Sequence, residues 1–200
     1  MVKFIPGGNL SHYFDPQLDR QVVKIKPGEF FATTRPLVIA TVLGSCVSAC
    51  IRDPQRGSAG MNHFMLPGSG WATRGAGTAS LRYGVFAMES LVNEFVRHGS
   101  ARGDLEAKVF GGAAVVDAIS ADVGAQNCEF VINYLGVEGI PVTAMDLGGV
   151  APRKVFFFVE DGSVRVKYLW RLDNVTIANR EAEYARSIEP VVHVDNSELF

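Results

Sequence analysis

Glycine supplies 21 of the 200 residues, well above the roughly 7% of an average chain, and the glycines fall at recurring breaks between short apolar runs instead of collecting in one linker. A chain punctuated in this way calls for many tight turns. The runs Gln21–Ile25 and Leu37–Thr41 are short and β-branched, which suits strands, with Pro27-Gly28 closing the first. After Gly44-Ser45, the segments Cys46–Arg52 and Ala59–Leu66 read as two adjacent strands joined through Asp53-Pro54 and Gly57.

From Leu81 the apolar period changes. Leu81, Val85, Met88, Leu91, Val92, Phe95 and Val96 recur at three- and four-residue intervals, which predicts a helix with Ser80 as N-cap and Gly99 just past its end. A strand is expected at Leu105–Phe110, a second helix from near Asp122 to Gly136 or Gly139, and a further strand over 141–147. Val155–Val159 and Val164–Tyr168 flank Asp161-Gly162, a hairpin signal because glycine accepts the positive φ of the turn. Strands and helices mix without a regular βαβ rhythm, so the expected fold is a layered α/β or α+β arrangement of mixed sheets with flanking helices. One domain over residues 1–173 is expected, followed by a polar tail over 174–200. A helix-compatible stretch at Ile177–Ile188 gives that tail the look of a peripheral appendage, dispensable for chemistry.

Lys and Arg number 19 against 21 Asp and Glu, a formal charge of −2, so nothing draws the chain to nucleic-acid phosphates or anionic bilayers. Pro6 and Gly7 interrupt the N-terminus before a signal-peptide run can form, and no apolar stretch approaches the ~18 residues of a membrane span. A cytoplasmic protein is expected. Three cysteines without secreted-scaffold spacing predict free thiols.

Cys46 follows a glycine turn at the head of a strand, where backbone N–H groups can converge and the thiol can serve as a nucleophile. His63 lies 17 residues on, at the end of the neighbouring strand, within possible reach for a thiolate–imidazolium pair. The competing reading is a buried core cysteine and a core histidine. Cys46 and Cys50 on one strand stand about 13 Å apart, too far for a disulfide. The cysteines and histidines lack the close pairing of a zinc site. Gly111-Gly112 and Gly148-Gly149 lack Walker or Rossmann spacing and suit close backbone packing.

The blocks Thr41-Val42-Leu43-Gly44-Ser45-Cys46-Val47 and Gly60-Met61-Asn62-His63-Phe64-Met65-Leu66-Pro67 closely resemble the signature of CheD, the chemoreceptor glutamine deamidase family of bacterial chemotaxis. Pro27-Gly28-Glu29, Tyr83-Gly84, Ala107–Ala113, Gly124–Asn127 and Asp146–Gly149 follow in the family's order, so the resemblance covers roughly residues 10–170. It implies a fold of cysteine-hydrolase type that converts receptor glutamines to glutamates, with Cys46 as nucleophile and His63 as general base and acid. The third family residue is a threonine that many relatives carry six residues before the cysteine. Here Ala40 stands at that position and Thr41 follows it, and in a strand one residue reverses the face. Thr41 is the candidate.

The implied chemistry needs a thiolate near neutral pH, favoured by a neighbouring histidine, and oxyanion donors from the N–H groups of Ser45 and Cys46. It needs no metal or organic cofactor. The implied partners are the cytoplasmic helices of methyl-accepting receptors and, in some bacteria, a CheC-type phosphatase. The glycine-rich Pro67–Gly77 could form a mobile wall beside a receptor helix. A non-catalytic adaptor, or a receptor glutamyl methylesterase using the same Cys46 and His63, remains open at this level.

Overall fold

The computed structural model describes residues 10–66, 76–115, 118–170 and 174–194. Among the described residues, ten strands form two five-stranded mixed sheets. The first contains β1 (Ser11–Asp15), β2 (Arg20–Lys24), β4 (Val38–Leu43), β9 (Arg153–Phe158) and β10 (Val164–Tyr168), in the order 1-2-4-9-10. The second contains β3 (Phe30–Thr33), β5 (Val47–Asp53), β6 (Ser58–Asn62), β7 (Glu106–Gly111) and β8 (Val142–Leu147), in the order 3-6-5-7-8. The pairs β2–β4 and β7–β8 are parallel and the remainder antiparallel. The described residues also form three α-helices, α1 (Ala76–Arg97), α2 (Ala118–Val137) and α3 (Asn174–Val194). This is the layered arrangement of mixed sheets and helices expected from the sequence. None of the described helices is long and apolar enough to cross a membrane.

The alternation along β4 and β5 builds the layers. Ile39 and Leu43 face Cys46, Cys50 and Met61 across a core between the two sheets. Val47, Ala49 and Ile51 point the other way, into a second core capped by Met88, Leu91 and Val92 of α1 and Val131 and Leu135 of α2. Every residue of β5 except Arg52 is therefore buried.

The first helix begins four residues before Ser80, so Ser80 lies inside it and is not its N-cap. Only small side chains precede Leu81, and they carry no apolar period to read. The buried stripe is also rotated from the expected one: Leu81, Val85 and Val96 are exposed, while Tyr83, Ala87, Met88, Leu91, Val92 and Phe95 are buried. Gly84 accounts for the rotation. A Cβ there would stand 2.6 Å from Leu66 and Phe130, so the helix approaches its neighbours most closely along a line that carries no side chain. The second helix starts earlier than expected and ends between Gly136 and Gly139, as read. Gly162, at φ +73°, turns the β9–β10 hairpin. Within Pro67–Gly77, only Ala76 and Gly77 fall in the described residues, at the start of α1.

Candidate active site

Thr41 sits on the central strand β4 of the first sheet. Residues 39, 41 and 43 share the face that looks toward the second sheet, whereas Val38 and Ala40 pack on the outer face. The position six before Cys46 therefore points away from the inter-sheet space, and the position five before it points in. Cys46 lies immediately ahead of β5. An isolated bridge between Val47 and Phe64 continues the β5–β6 register, which places Cys46 opposite Met65 and Ser48 opposite His63. In an antiparallel pair these four side chains share one face, so Cys46 and His63 are diagonal neighbours.

The His63 ring is fixed by a short chain of bonds. The Thr41 hydroxyl donates to the Ile25 carbonyl at 2.9 Å, and Thr41 Oγ1 lies 2.7 Å from His63 Nδ1. A hydroxyl has one proton, so with that proton on Ile25 the Thr41 oxygen accepts from Nδ1–H. This network assigns the Nδ1–H tautomer and leaves Nε2 with its lone pair. Nε2 is buried and has no hydrogen-bond partner among the described residues. The His63 backbone is held as well: its N–H donates to the Glu29 carbonyl at 3.0 Å and its carbonyl accepts from Gly28 N–H at 2.8 Å. Pro27-Gly28-Glu29 is thus the clamp on the histidine, and Gly28 adopts φ +81° to make it.

The turn before Cys46 is organised as an anion site. Its three carbonyls are drawn backwards: Gly44 O accepts from Ala113 N–H at 2.7 Å, Ser45 O from Asn127 Nδ2 at 2.8 Å, and Cys46 O from Gly112 N–H at 2.8 Å. The three amide N–H groups of Gly44, Ser45 and Cys46 consequently converge on the opposite side. What they meet is the carboxylate of Glu181 from α3. Oε1 accepts from Gly44 N–H at 3.0 Å and Cys46 N–H at 3.1 Å, and Oε2 accepts from Ser45 N–H at 2.9 Å and the Ser45 hydroxyl at 2.6 Å. A Cβ on Gly44 would stand 2.8 Å from Oε1, so this approach requires glycine.

With these groups packed together, Cys46 and His63 are both essentially inaccessible. Burial pushes the Cys46 thiol well above its ordinary value, and the charge and hydrogen bond of Glu181 push it the same way. Burial holds His63 down at about 3. The expected thiolate–imidazolium pair is therefore not the form present here, because neither ion is solvated and an anion sits beside the thiol. Among the described residues no group of three or more His, Cys, Asp or Glu side chains could hold a metal ion, and all three cysteines are free.

Over residues 65–168 the sequence matches the family described as CheD chemotactic sensory transduction. A protein of Herminiimonas arsenicoxydans named "Probable chemoreceptor glutamine deamidase CheD" is 49% identical over 189 residues, which cover 94% of this chain and 93% of its own. The chain belongs to the CheD family. A protein of the same name from Thiobacillus denitrificans is 47% identical over 94% of both chains, and one from Burkholderia vietnamiensis is 50% identical over 88% of this chain and 72% of its own.

Two residues that shape this CheD site were not singled out in the sequence. Asn127, fully buried on α2, donates to Ser45 O and accepts from Leu66 N–H at 2.7 Å, which fastens the cysteine turn to the end of the histidine segment. It lies in the Gly124–Asn127 block that carries part of the resemblance, and that block is its signal. Glu181 has none. It looks like one more surface glutamate in a polar helix, and its segment reads as peripheral, yet α3 carries it into the site.

Two outcomes are expected. Thr41→Val leaves Nδ1–H and the Ile25 carbonyl unpaired in the interior, and should cost about 1–3 kcal/mol of stability together with a loss of turnover. Thr41→Ser should recover both, as read by thermal melts and steady-state rates. The second concerns pH. His63 has a folded-state pKa below its ordinary 6.5, so as pH falls below that value the unfolded chain takes up a proton that the folded chain refuses, and stability drops. Between pH 6.5 and 5 this single group should remove about 2 kcal/mol. Urea midpoints measured across that range should show the loss, and His63→Gln should abolish that share of it.

Proposed function

We propose that this chain is a cytoplasmic protein-glutamine deamidase that acts on the cytoplasmic helices of chemoreceptors, with Cys46 as nucleophile, His63 as base and acid, and Thr41 as the residue that positions the imidazole. The observation that carries this reading is the tautomer fixed by Thr41, which leaves the lone pair of Nε2 free on the face shared with Cys46, whose own turn carries three convergent amide N–H groups. The names of the relatives supply the substrate.

When a glutamine side chain enters, its carbonyl oxygen takes the position now held by the Glu181 carboxylate. Nε2 removes the thiol proton as Sγ attacks the amide carbon, and the charge that develops on oxygen is met by the N–H groups of Gly44, Ser45 and Cys46. An imidazolium in this buried setting is a strong acid, so it readily returns its proton to the departing nitrogen, and ammonia leaves. A thioester on Cys46 remains. Water, deprotonated by Nε2, then hydrolyses it to the glutamate side chain and restores the thiol.

The test is mass spectrometry of a cytoplasmic receptor fragment incubated with the protein. Individual glutamines should gain the mass that accompanies exchange of an amide for a carboxyl group. An unchanged fragment, with a receptor glutamyl methyl ester hydrolysed instead, would replace this assignment by the esterase.

A further inference from the structure

The inward face of α3 is narrow. Ile177, Glu181 and Ile188 are buried and Tyr184 is half-buried, at spacings that place them on one side of the helix, while Thr176, Asn179, Arg180, Ala182, Glu183, Arg186 and Ser187 are exposed. A carboxylate therefore occupies the middle of the docking stripe, a costly residue to bury unless its partners are very good. They are. Each of its oxygens accepts two hydrogen bonds, and all the donors come from the turn that presents Cys46.

Tyr184, one turn further along, pairs its hydroxyl with that of Tyr83 and lays its ring against Gly28, where a Cβ would stand 3.0 Å away. Thr41 and His63 are among the residues that line a groove of about 470 Å³, together with Arg180, Glu181 and Tyr184 of α3. The groove beside the imidazole is thus bounded by α3.

A glutamate side chain is also what a glutamine deamidase leaves behind. We infer that α3 is an intramolecular product mimic: the Glu181 carboxylate fills the oxyanion site as a newly formed glutamate would, and α3 must withdraw before a substrate glutamine can reach Cys46. The product identity rests on the deamidase reading above, whereas the closure of the site by α3 does not. A carboxylate matches the site better than an amide does, because both of its oxygens accept, while an amide would turn its NH2 group toward the Ser45 N–H and hydroxyl donors. Among the described side chains of the helix, Ile177 and Ile188 are the buried apolar ones, so the carboxylate is a large part of what holds it there. Raising the Cys46 thiol is a further effect of the same carboxylate.

The full-length Glu181→Ala and Glu181→Gln variants test this inference with two readouts. The first is the rate at which iodoacetamide alkylates Cys46, resolved from Cys50 and Cys128 by peptide mapping. The second is the initial rate of deamidation of a receptor fragment. Losing the charge-assisted bonds should raise the alkylation rate about tenfold or more in both variants, and deamidation should rise with it. Faster alkylation with no deamidation in any form would keep the closure and remove the deamidase reading. Unchanged alkylation would overturn the closure whatever the activity. So would a fall in deamidation at unchanged alkylation, which would make the carboxylate part of the working machinery. Loss of the native near-ultraviolet dichroism in both variants would make it a structural group and overturn the inference equally.

Discussion

Cys46→Ser is expected to lower turnover by roughly 10⁴–10⁶-fold, the scale on which loss of a nucleophile registers when its partners are left in place. The hydroxyl is far harder to deprotonate than the thiol, and the neutral His63 has no surplus basicity to compensate, since burial already holds it at about 3. The fold should survive. Serine is slightly smaller than cysteine, and the Glu181 carboxylate beside position 46 offers its hydroxyl an acceptor. Cys50→Ala and Cys128→Ala provide the contrast: Cys50 lies in the core between the sheets and Cys128 packs beside the helix-side core. Each should lose no more than about 1–2 kcal/mol of stability and keep its activity. Steady-state deamidation and chemical denaturation of the three variants separate the roles, and a Cys46→Ser protein as active as its parent would end the assignment of the nucleophile.

His63→Ala should reduce turnover by about 10²–10⁴-fold from the lost proton transfers alone, and by more where thiolate formation also fails. Affinity for a receptor fragment should change little, because the imidazole is fully buried and offers no surface for recognition. The variant also separates an enzyme from an adaptor. An adaptor needs no imidazole, so its binding and its effect on the receptor would both persist. Equal losses of rate and affinity, or no loss in either, would count against His63 as the base.

The parts of the fold that could be read from the sequence are those in which side-chain pattern and backbone agree. Strand β4, in the middle of its sheet, is apolar apart from Thr41, and the β9–β10 hairpin has both its alternation and Gly162. The start of α1 was hidden because small residues carry no period. The rotation of α1 was hidden because Gly84, which causes it, contributes contact by having no side chain. At the site, Cys46 and His63 stood out through their setting: a glycine turn before one, a strand end for the other. Thr41 could be placed only once the faces of β4 were known, because a single residue of offset decides whether a side chain meets the imidazole or the outer surface of the sheet. Glu181 was beyond any local pattern. Its burial comes from a contact across 136 residues of chain with the amide of Ser45, and nothing near it in sequence marks it as different from Glu183.

The order of the elements along the chain has a bearing on synthesis. Thr41, Cys46 and His63 all lie within 22 residues of one another, and a ribosome completes that stretch early. The groups that turn the three carbonyls of Gly44, Ser45 and Cys46 backwards come much later, from Gly112, Ala113 and Asn127. The partner that locks Thr41 into its sheet, Val155 of β9, comes later still. A nascent chain therefore carries its reacting thiol and imidazole from His63 to Asn127, through 64 further residues of synthesis, without a formed oxyanion site. Glu181 is made last of these, so the finished protein acquires the group that occupies the site only after the site itself can exist.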